Sequence, residues 1–445
     1  MVRVSIVPDF VTISELPKIS GSGLDAHTEF CIRASFEDAE GQMWSSRMVG
    51  TADEHGCFDL GITTSVKGSY TGVDPAGLFW SMTPDGVDDL DQFQLNAPPM
   101  NGDLVSQHPF GFPTFLGDGD METTITLTVG GELVEEQKLC RSRIPATLTE
   151  DRIIDGDLRG SFFYQKEHSN APAVIFLSGS EGGVKRYQAA QLASRGFQVF
   201  ALGYFNCEGR PAQLERIPLE YFEEAIDWLI CRTGCDKVGL VGGSRGGEAV
   251  LAIATHVGAD VGAIVSMVPA DIYCATHLFP DGIAPSWTLR GEDLPAAGSS
   301  EEHTISILAR QSPGSTLHLA KEMGGFFQDD EEYEACAIPI ENMTAPVLFV
   351  TGEDDRCWPS HFAAERAVKR LKQKGFSYDM AHFSNPDSGH LVGFPGLPTT
   401  MSAKVPYRDK KFIALGGSPA ANARNQRESW QATIDFLNRH LAHAE

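Results

Sequence analysis

The chain has 445 residues, 42% of them hydrophobic and 21% charged, with a formal charge of −25. That length and balance allow one to three domains with a sizeable core and no need of disulfide staples. The negative field disfavours nucleic acid and anionic lipid as partners, and no run of eighteen apolar residues offers a membrane span.

The opening stretch, MVRVSIVPDFVTISEL, alternates apolar and polar side chains as a strand does and has no basic-then-apolar leader pattern. Short alternating runs continue to about residue 145, among them EFCIRASFED and TTITLTVGGELVEEQKLC. Asp38, Ala39, Glu40 and Gly41 read as one turn, and Gly130-Gly131 as a two-residue hairpin loop. No long helical period interrupts them. The pattern predicts an antiparallel β-sandwich over residues 1–145. Residues 141–156, RSRIPATLTEDRIIDG, read as a polar linker around Pro145.

From about residue 161 the rhythm changes. APAVIFLSG, FQVFALGYF, KVGLVGG, GAIVSMVP, APVLFVTG and YDMAHF are short apolar runs suited to strands buried on both faces. Between them RYQAAQLASRGF, LEYFEEAIDWLICRTG and EAVLAIATHV have helical spacing, and SWQATIDFLNRHLAHA closes the chain as a helix. Alternating β and α elements predict a second domain, 146–445, built on a mostly parallel, doubly wound sheet. Residues 270–340, rich in proline, break the alternation and read as a lid or pocket-shaping segment, or as an ordinary long excursion.

Nine cysteines are scattered from Cys31 to Cys357 without a CxxC. Cys231 and Cys235 have three residues between them and no paired His or Cys nearby, so no metal site is expected. Idle thiols fit a reducing cytoplasm, and the terminal HLAHAE shows neither a peroxisomal tripeptide nor a prenylation box. The expected location is cytoplasmic. The oligomeric state is left open.

Gly242-Gly243-Ser244-Arg245-Gly246 fits G-x-S-x-G. The pentapeptide alone is weak in a chain with 45 glycines, but it stands directly between a strand and a helix. A turn that tight strains the serine and lifts its hydroxyl above the C-terminal edge of the sheet, while the helix N-terminus offers N–H groups to an oxyanion. Ser244 is therefore the expected nucleophile, and the Arg245 N–H one oxyanion donor. Such a serine needs a base, held by an acid, in the chain order Ser, acid, His. Gly352-Glu353-Asp354-Asp355 follows strand APVLFV; Asp355 is the preferred acid, with Asp354 and then Glu353 behind it. Of the later histidines, His361 is too near the acid, His382 lies in a strand, and His440 and His443 lie in the last helix. His390, in the loop SNPDSGH, is the expected base. The glycine-rich turn LSGSEGG offers the N–H of Ser180 or Glu181 as second oxyanion donor, and no phosphate-cradling G-x-x-x-x-G-K-[ST] or G-x-G-x-x-G is present.

The ordered set GSYTGVDPAGLFWSM, LEYFEEA, VGLVGGSRGGE, GEDDRCW, Gly389-His390 and LGGSP resembles the acyl-CoA thioesterase / bile acid-CoA:amino acid N-acyltransferase family over nearly the whole length. The resemblance implies an immunoglobulin-like N-terminal domain and an α/β-hydrolase domain with Ser244, Asp355 and His390 as triad. It implies an acyl thioester as substrate, coenzyme A as leaving group and no other cofactor. Family members that conjugate amino acids tend to carry Cys as nucleophile, so Ser244 points to water as the acceptor. The alternatives are transfer of the acyl group to an amine or hydroxyl, and a non-catalytic binding role. Lys185, Arg186 and Arg210, together with the Arg245 side chain, are the cations expected to meet the anionic substrate against the overall negative charge.

Overall fold

The computed structural model describes residues 2–96, 120–168, 170–275, 284–298, 312–322, 329–407 and 410–441. They divide into two compact units: the first holds 2–96, 120–145 and 394–402, the second the remainder.

In the first unit, strands Phe10–Thr12, Glu132–Ser142, Met121–Val129, Glu29–Glu37, Met43–Thr51 and Lys67–Gly68 lie side by side in that order, with Thr83–Pro84 beside Met43–Thr51. A second sheet joins Arg3–Val7, Lys18–Ser22 and Phe58–Asp59. All pairs are antiparallel except Phe10–Thr12 with Glu132–Ser142. The two expected turns join their strands as the glycines require, Gly41 at φ 82° and Gly130 and Gly131 at φ 59° and 90°. The sheets share one core: Val4, Ile19 and Phe58 from one meet Ile32, Trp44, Ile125 and Leu127 from the other. Residues 394–402, which the sequence pattern assigns to the second domain, pack here instead. Phe394, Leu397 and Met401 lie against this core, and Arg141 donates to Gly396 O at 2.7 Å.

The second unit is built on eight strands: β1 (Thr149–Asp155), β2 (Leu158–Tyr164), β3 (Ala173–Leu177), β4 (Gln198–Gly203), β5 (Val238–Gly243), β6 (Val261–Met267), β7 (Val347–Gly352) and β8 (Met380–Asn385). Their order across the sheet is β1-β2-β4-β3-β5-β6-β7-β8. The pairs β1/β2 and β2/β4 are antiparallel and every later pair is parallel. The hairpin of β1 and β2 corrects the linker reading of 141–156. Its turn is the Gly156-Asp157 pair, with Gly156 at φ 52°, and β1 is a polar edge strand that lacks the apolar run of a buried one.

Helices α1 (Arg186–Ala193), α2 (Glu220–Thr233), α3 (Arg245–His256), α4 (Ser360–Gln373) and α5 (Pro419–Leu441) belong to the same unit. Ile175, Leu240 and Phe349 share a core with Phe222, Ile226, Val250, Ile253 and Leu371 of α2, α3 and α4. A Cβ on Gly239 would meet Leu437 and Leu441 of α5 together with Val174. Adjacent strand residues point to opposite faces, so helices cover both sides of the sheet. This is the α/β architecture that the alternation predicts.

Within 270–340, the described parts pack into the second unit. Trp287–Leu289 pairs with Ile217–Pro218 and with Glu292–Asp293. Ile272, Cys274, Ala297, Leu317 and Cys336 join one apolar cluster with Trp358 and Leu415. The rest of the expected lid lies outside the described residues.

Candidate active site

Strand β5 ends at Gly243, and α3 begins at Arg245. Ser244 between them has φ 58° and ψ −120°, a strained conformation for a residue with a side chain. Neighbours hold it there: its N–H donates to Met267 O at 2.9 Å, and its carbonyl accepts from Glu248 N–H at 3.1 Å. The turn closes only with glycine on either side. A Cβ on Gly242 would lie 2.3 Å from Gly246 O, and one on Gly246 would lie 2.4 Å from Ser178 O. A Cβ on Gly179 would stand 3.3 Å from Ser244 Cβ, which sets the 178–181 loop against the serine.

The loop after β7 carries Asp355. Its Oδ1 accepts from the N–H groups of Cys357 and Trp358 at 2.9 and 3.3 Å. Its Oδ2 accepts from Ser360 Oγ at 2.5 Å and meets His390 Nδ1 at 2.8 Å. The pair is buried, with side-chain exposures of 2% for Asp355 and 9% for His390. The alternatives for the acid are engaged elsewhere. Asp354 accepts from Arg356 Nε and Gly417 N–H, both at 2.9 Å, and Glu353 accepts from Ser384 Oγ at 3.0 Å.

His390 follows β8, and its N–H donates to Leu415 O at 2.8 Å. The ring stands edge-on to Trp358, with centroids 6.2 Å apart. A proton on Nδ1 directed at Asp355 leaves the Nε2 lone pair free. Among the described residues no hydrogen bond joins the Ser244 hydroxyl to the imidazole. The other histidines make different contacts. His361 and His382 share Thr351 Oγ1 at 3.1 and 2.8 Å, His440 meets Asp379 at 3.2 Å, and His443 lies outside the described residues. Burial, then the charge of His361, pushes the His382 imidazole below its ordinary value.

The oxyanion side is built from two loops. Among the described residues the N–H groups of Ser180 and Arg245 have no hydrogen-bond partner. The Glu181 carboxylate accepts from Gly179 N–H at 3.3 Å and pairs with Lys185, while Glu181 O accepts from Asn206 at 2.8 Å. Burial pushes that carboxyl up, but Lys185 and the hydrogen bonds outweigh it and hold it below the ordinary carboxylate value.

The expected cations do not form an open basic patch. Lys185 is paired with Glu181, and Arg186 grips Glu150 through two bonds of 2.6 and 2.7 Å. Arg210 lies over the Tyr221 ring at 3.9 Å. The Arg245 side chain is buried. It donates to Cys274 O at 2.9 Å, to Ala275 O at 3.1 Å and to Ser286 Oγ, and lies 3.2 Å from Glu248. Charge was legible in the sequence; the partner that neutralises it was not.

Three supports escape a reading of the sequence. Glu248, fully buried, accepts from Cys274 N–H at 3.0 Å and Trp287 Nε1 at 2.7 Å. Ser360 holds Asp355. A stripe on α5 holds the histidine loop: Asn422 accepts from Gly389 N–H at 2.8 Å and Ser429 from Gly393 N–H at 3.0 Å. From the same stripe, Asn425 donates to Ser388 Oγ at 2.6 Å. Only the spacing of Asn422, Asn425 and Ser429 on one helix face could have hinted at it. Among the described residues no group of three or more His, Cys, Asp or Glu side chains could hold a metal ion, and no helix is long and apolar enough to cross a membrane.

Similarity to known proteins follows the same lines. A family model described as BAAT / acyl-CoA thioester hydrolase C terminal matches residues 217–443, and one described as acyl-CoA thioester hydrolase/BAAT N-terminal region matches residues 14–105. The chain is 28% identical to bile acid-CoA:amino acid N-acyltransferase of Mus musculus, over 99% of this chain and 98% of that protein. It is 28% identical to acyl-coenzyme A thioesterase 5 of Mus musculus, over 95% and 93%. It is 27% identical to the mitochondrial acyl-coenzyme A thioesterase 2 of Homo sapiens, over 95% and 81%. Among solved structures it is similar to carboxylesterase CesB of Bacillus subtilis, with 15% identity, a TM-score of 0.36, and coverage of 66% of this chain and 93% of that one. With one family model spanning over half of its residues and the second ahead of it, the chain belongs to the BAAT / acyl-CoA thioester hydrolase family.

Proposed function

We propose that this protein hydrolyses an acyl thioester, acyl-CoA or a close relative, through an acyl-Ser244 intermediate. The observation that carries the reading is the buried 2.8 Å contact of His390 Nδ1 with Asp355 Oδ2, on loops that follow strands three and two places along the sheet from a serine strained at a strand-to-helix turn. His390 Nε2 takes the Ser244 proton as Oγ attacks the thioester carbonyl, and Asp355 holds the imidazolium that forms. The N–H of Arg245 and those of the Ser180/Glu181 loop receive the oxyanion. The C–S bond then breaks, and the departing thiolate takes the proton from His390. Water, deprotonated by the same imidazole, attacks the acyl-serine; the bond from the acyl carbon to Oγ breaks, Oγ takes the proton back from His390, and the free acid leaves. No metal or organic cofactor enters these steps, and coenzyme A takes part as the leaving group.

The reading includes an immunoglobulin-like identity for the first unit and an α/β-hydrolase identity for the second. It also places the protein in the cytoplasm, where nine free thiols are stable. A second reading, transfer of the acyl group from Ser244 to an amine, draws on a relative named as an N-acyltransferase that is as similar as the thioesterases.

Ser244→Ala is expected to lower kcat by about a thousandfold or more while the fold persists. The check is free-thiol release from a panel of acyl-CoA thioesters, with fluorophosphonate labelling to locate the nucleophile. Retained activity in the alanine variant, or a label on another residue, refutes the hydrolase reading. An amide product formed with glycine or taurine, at the expense of free acid, selects transfer.

A further inference from the structure

We infer that Ser360 is a positioning residue that tunes the basicity of His390 through Asp355; this rests on the triad reading above. The Asp355 carboxylate is fully supplied with donors. Oδ1 takes two backbone N–H groups, and Oδ2 takes the Ser360 hydroxyl at 2.5 Å beside the imidazole at 2.8 Å. Ser360 is fully buried at the start of α4, and Pro359 before it fixes the entry of the chain into the helix. Its hydroxyl donates to the oxygen that the imidazole also needs.

Two donors on one carboxylate oxygen share its charge. The hydroxyl stabilises Asp355 as a carboxylate and makes Oδ2 a weaker acceptor for His390. Without it, Oδ2 carries more charge toward the ring, the imidazolium becomes easier to form, and the free base is available only at higher pH. The other charged groups around this contact are spoken for. Asp354 is held by Arg356 and Gly417 N–H, and Glu353 by Ser384. Cys357 is kept a neutral thiol by burial and then by Asp355. The α5 side chains bonded to the loop around His390, Asn422, Asn425 and Ser429, are uncharged, and Val268 O at the end of β6 is taken by Trp358 Nε1 at 2.9 Å. Ser360 is thus the group whose removal changes the Asp355–His390 contact without changing a charge.

The test measures the rate of fluorophosphonate labelling at Ser244 against pH, which needs the base but no knowledge of the natural acyl group. Thioester kcat/KM against pH is measured alongside. In Ser360→Ala the midpoint of the acidic limb moves up by roughly 0.5–1 pH unit, and in Ser360→Thr it returns to the wild-type position. Ser360→Cys, a weaker donor of similar size, moves it part of the way and serves if the alanine variant fails to fold. A residue that only shaped the loop would lower the rate at every pH, or move the limb downward by loosening the Asp355–His390 contact. Either outcome, or an unmoved limb, overturns the inference. Failure of wild-type Ser244 to label at any pH refutes the triad reading instead, so the two failures are distinguishable.

Discussion

Glu248 shows how much of this site depends on single buried side chains. Burial pushes its carboxyl above the ordinary carboxylate value, although Arg245 beside it acts in the opposite direction. The group is retained in an apolar core because one oxygen takes two N–H groups and the other faces Arg245, whose guanidinium holds residues 274–275 and Ser286. Glu248→Ala leaves an indole N–H and a backbone N–H buried without their acceptor and a buried guanidinium without its counter-charge, a change that costs about 3–5 kcal/mol. Glu248→Gln keeps the amide oxygen for Cys274 and Trp287 and should cost less than half as much. Urea unfolding of the three proteins measures both values; equal losses would mean that the ionic contact with Arg245, not the N–H groups, is what matters. At this scale the proposed triad was legible, because strand ends and chain order restrict where a serine, an acid and a histidine can meet. Glu248 and Ser360 were not. Their partners lie across the fold or depend on one hydroxyl's direction, as Trp287 does at 39 residues from Glu248.

Among the elements, α5 departs furthest from its sequence pattern. Apolar spacing reveals the helix only from Ser429 onward, yet it begins at Pro419. Its first turns, PAANARNQRE, bury amides in place of aliphatic groups: Asn422 and Asn425 are fully buried. These amides satisfy the backbone of the histidine loop, a loop that cannot bond within a strand or helix. Binary patterning cannot detect such a face, because the residues that bury it are polar. The β1–β2 hairpin escaped for a related reason, its edge strand being polar on the exposed side. Strands β3 to β7, by contrast, are apolar on both faces and were legible, whereas β8, read as buried on both faces, is an edge strand in which only Asn385 is buried. Asn422→Ala removes the acceptor of Gly389 N–H, one residue before His390, and the donor to Gly416 O at 3.2 Å. It should lower kcat about tenfold to a hundredfold with little change in KM, and stability by about 1–3 kcal/mol. Steady-state kinetics on one acyl-CoA beside a thermal melt checks it. A rise in KM at constant kcat would mean that the stripe shapes the substrate site and not the base.

For the whole molecule the question is how a chain with 25 excess negative charges accepts a polyanionic thioester. The cations expected to offset that charge are committed elsewhere: Lys185 to Glu181, Arg186 to Glu150, Arg210 over Tyr221, and Arg245 in the core beneath the serine. A coenzyme A thioester should therefore approach against the net field. Salt shortens the reach of that field from about 30 Å at 0.01 M to about 10 Å at 0.1 M. Raising the salt over that range should increase kcat/KM for a coenzyme A thioester by about threefold, as screening of a repulsive encounter does. The same acyl group on an uncharged N-acetylcysteamine thiol should show no such rise, because the field has no charge to act on. That pairing separates encounter from chemistry: a rise in both substrates would mean that salt acts on the catalytic step. A fall in kcat/KM for the coenzyme A thioester alone would reveal cations at the site strong enough to outweigh the global charge, and would return Lys185, Arg186 and Arg210 to the substrate.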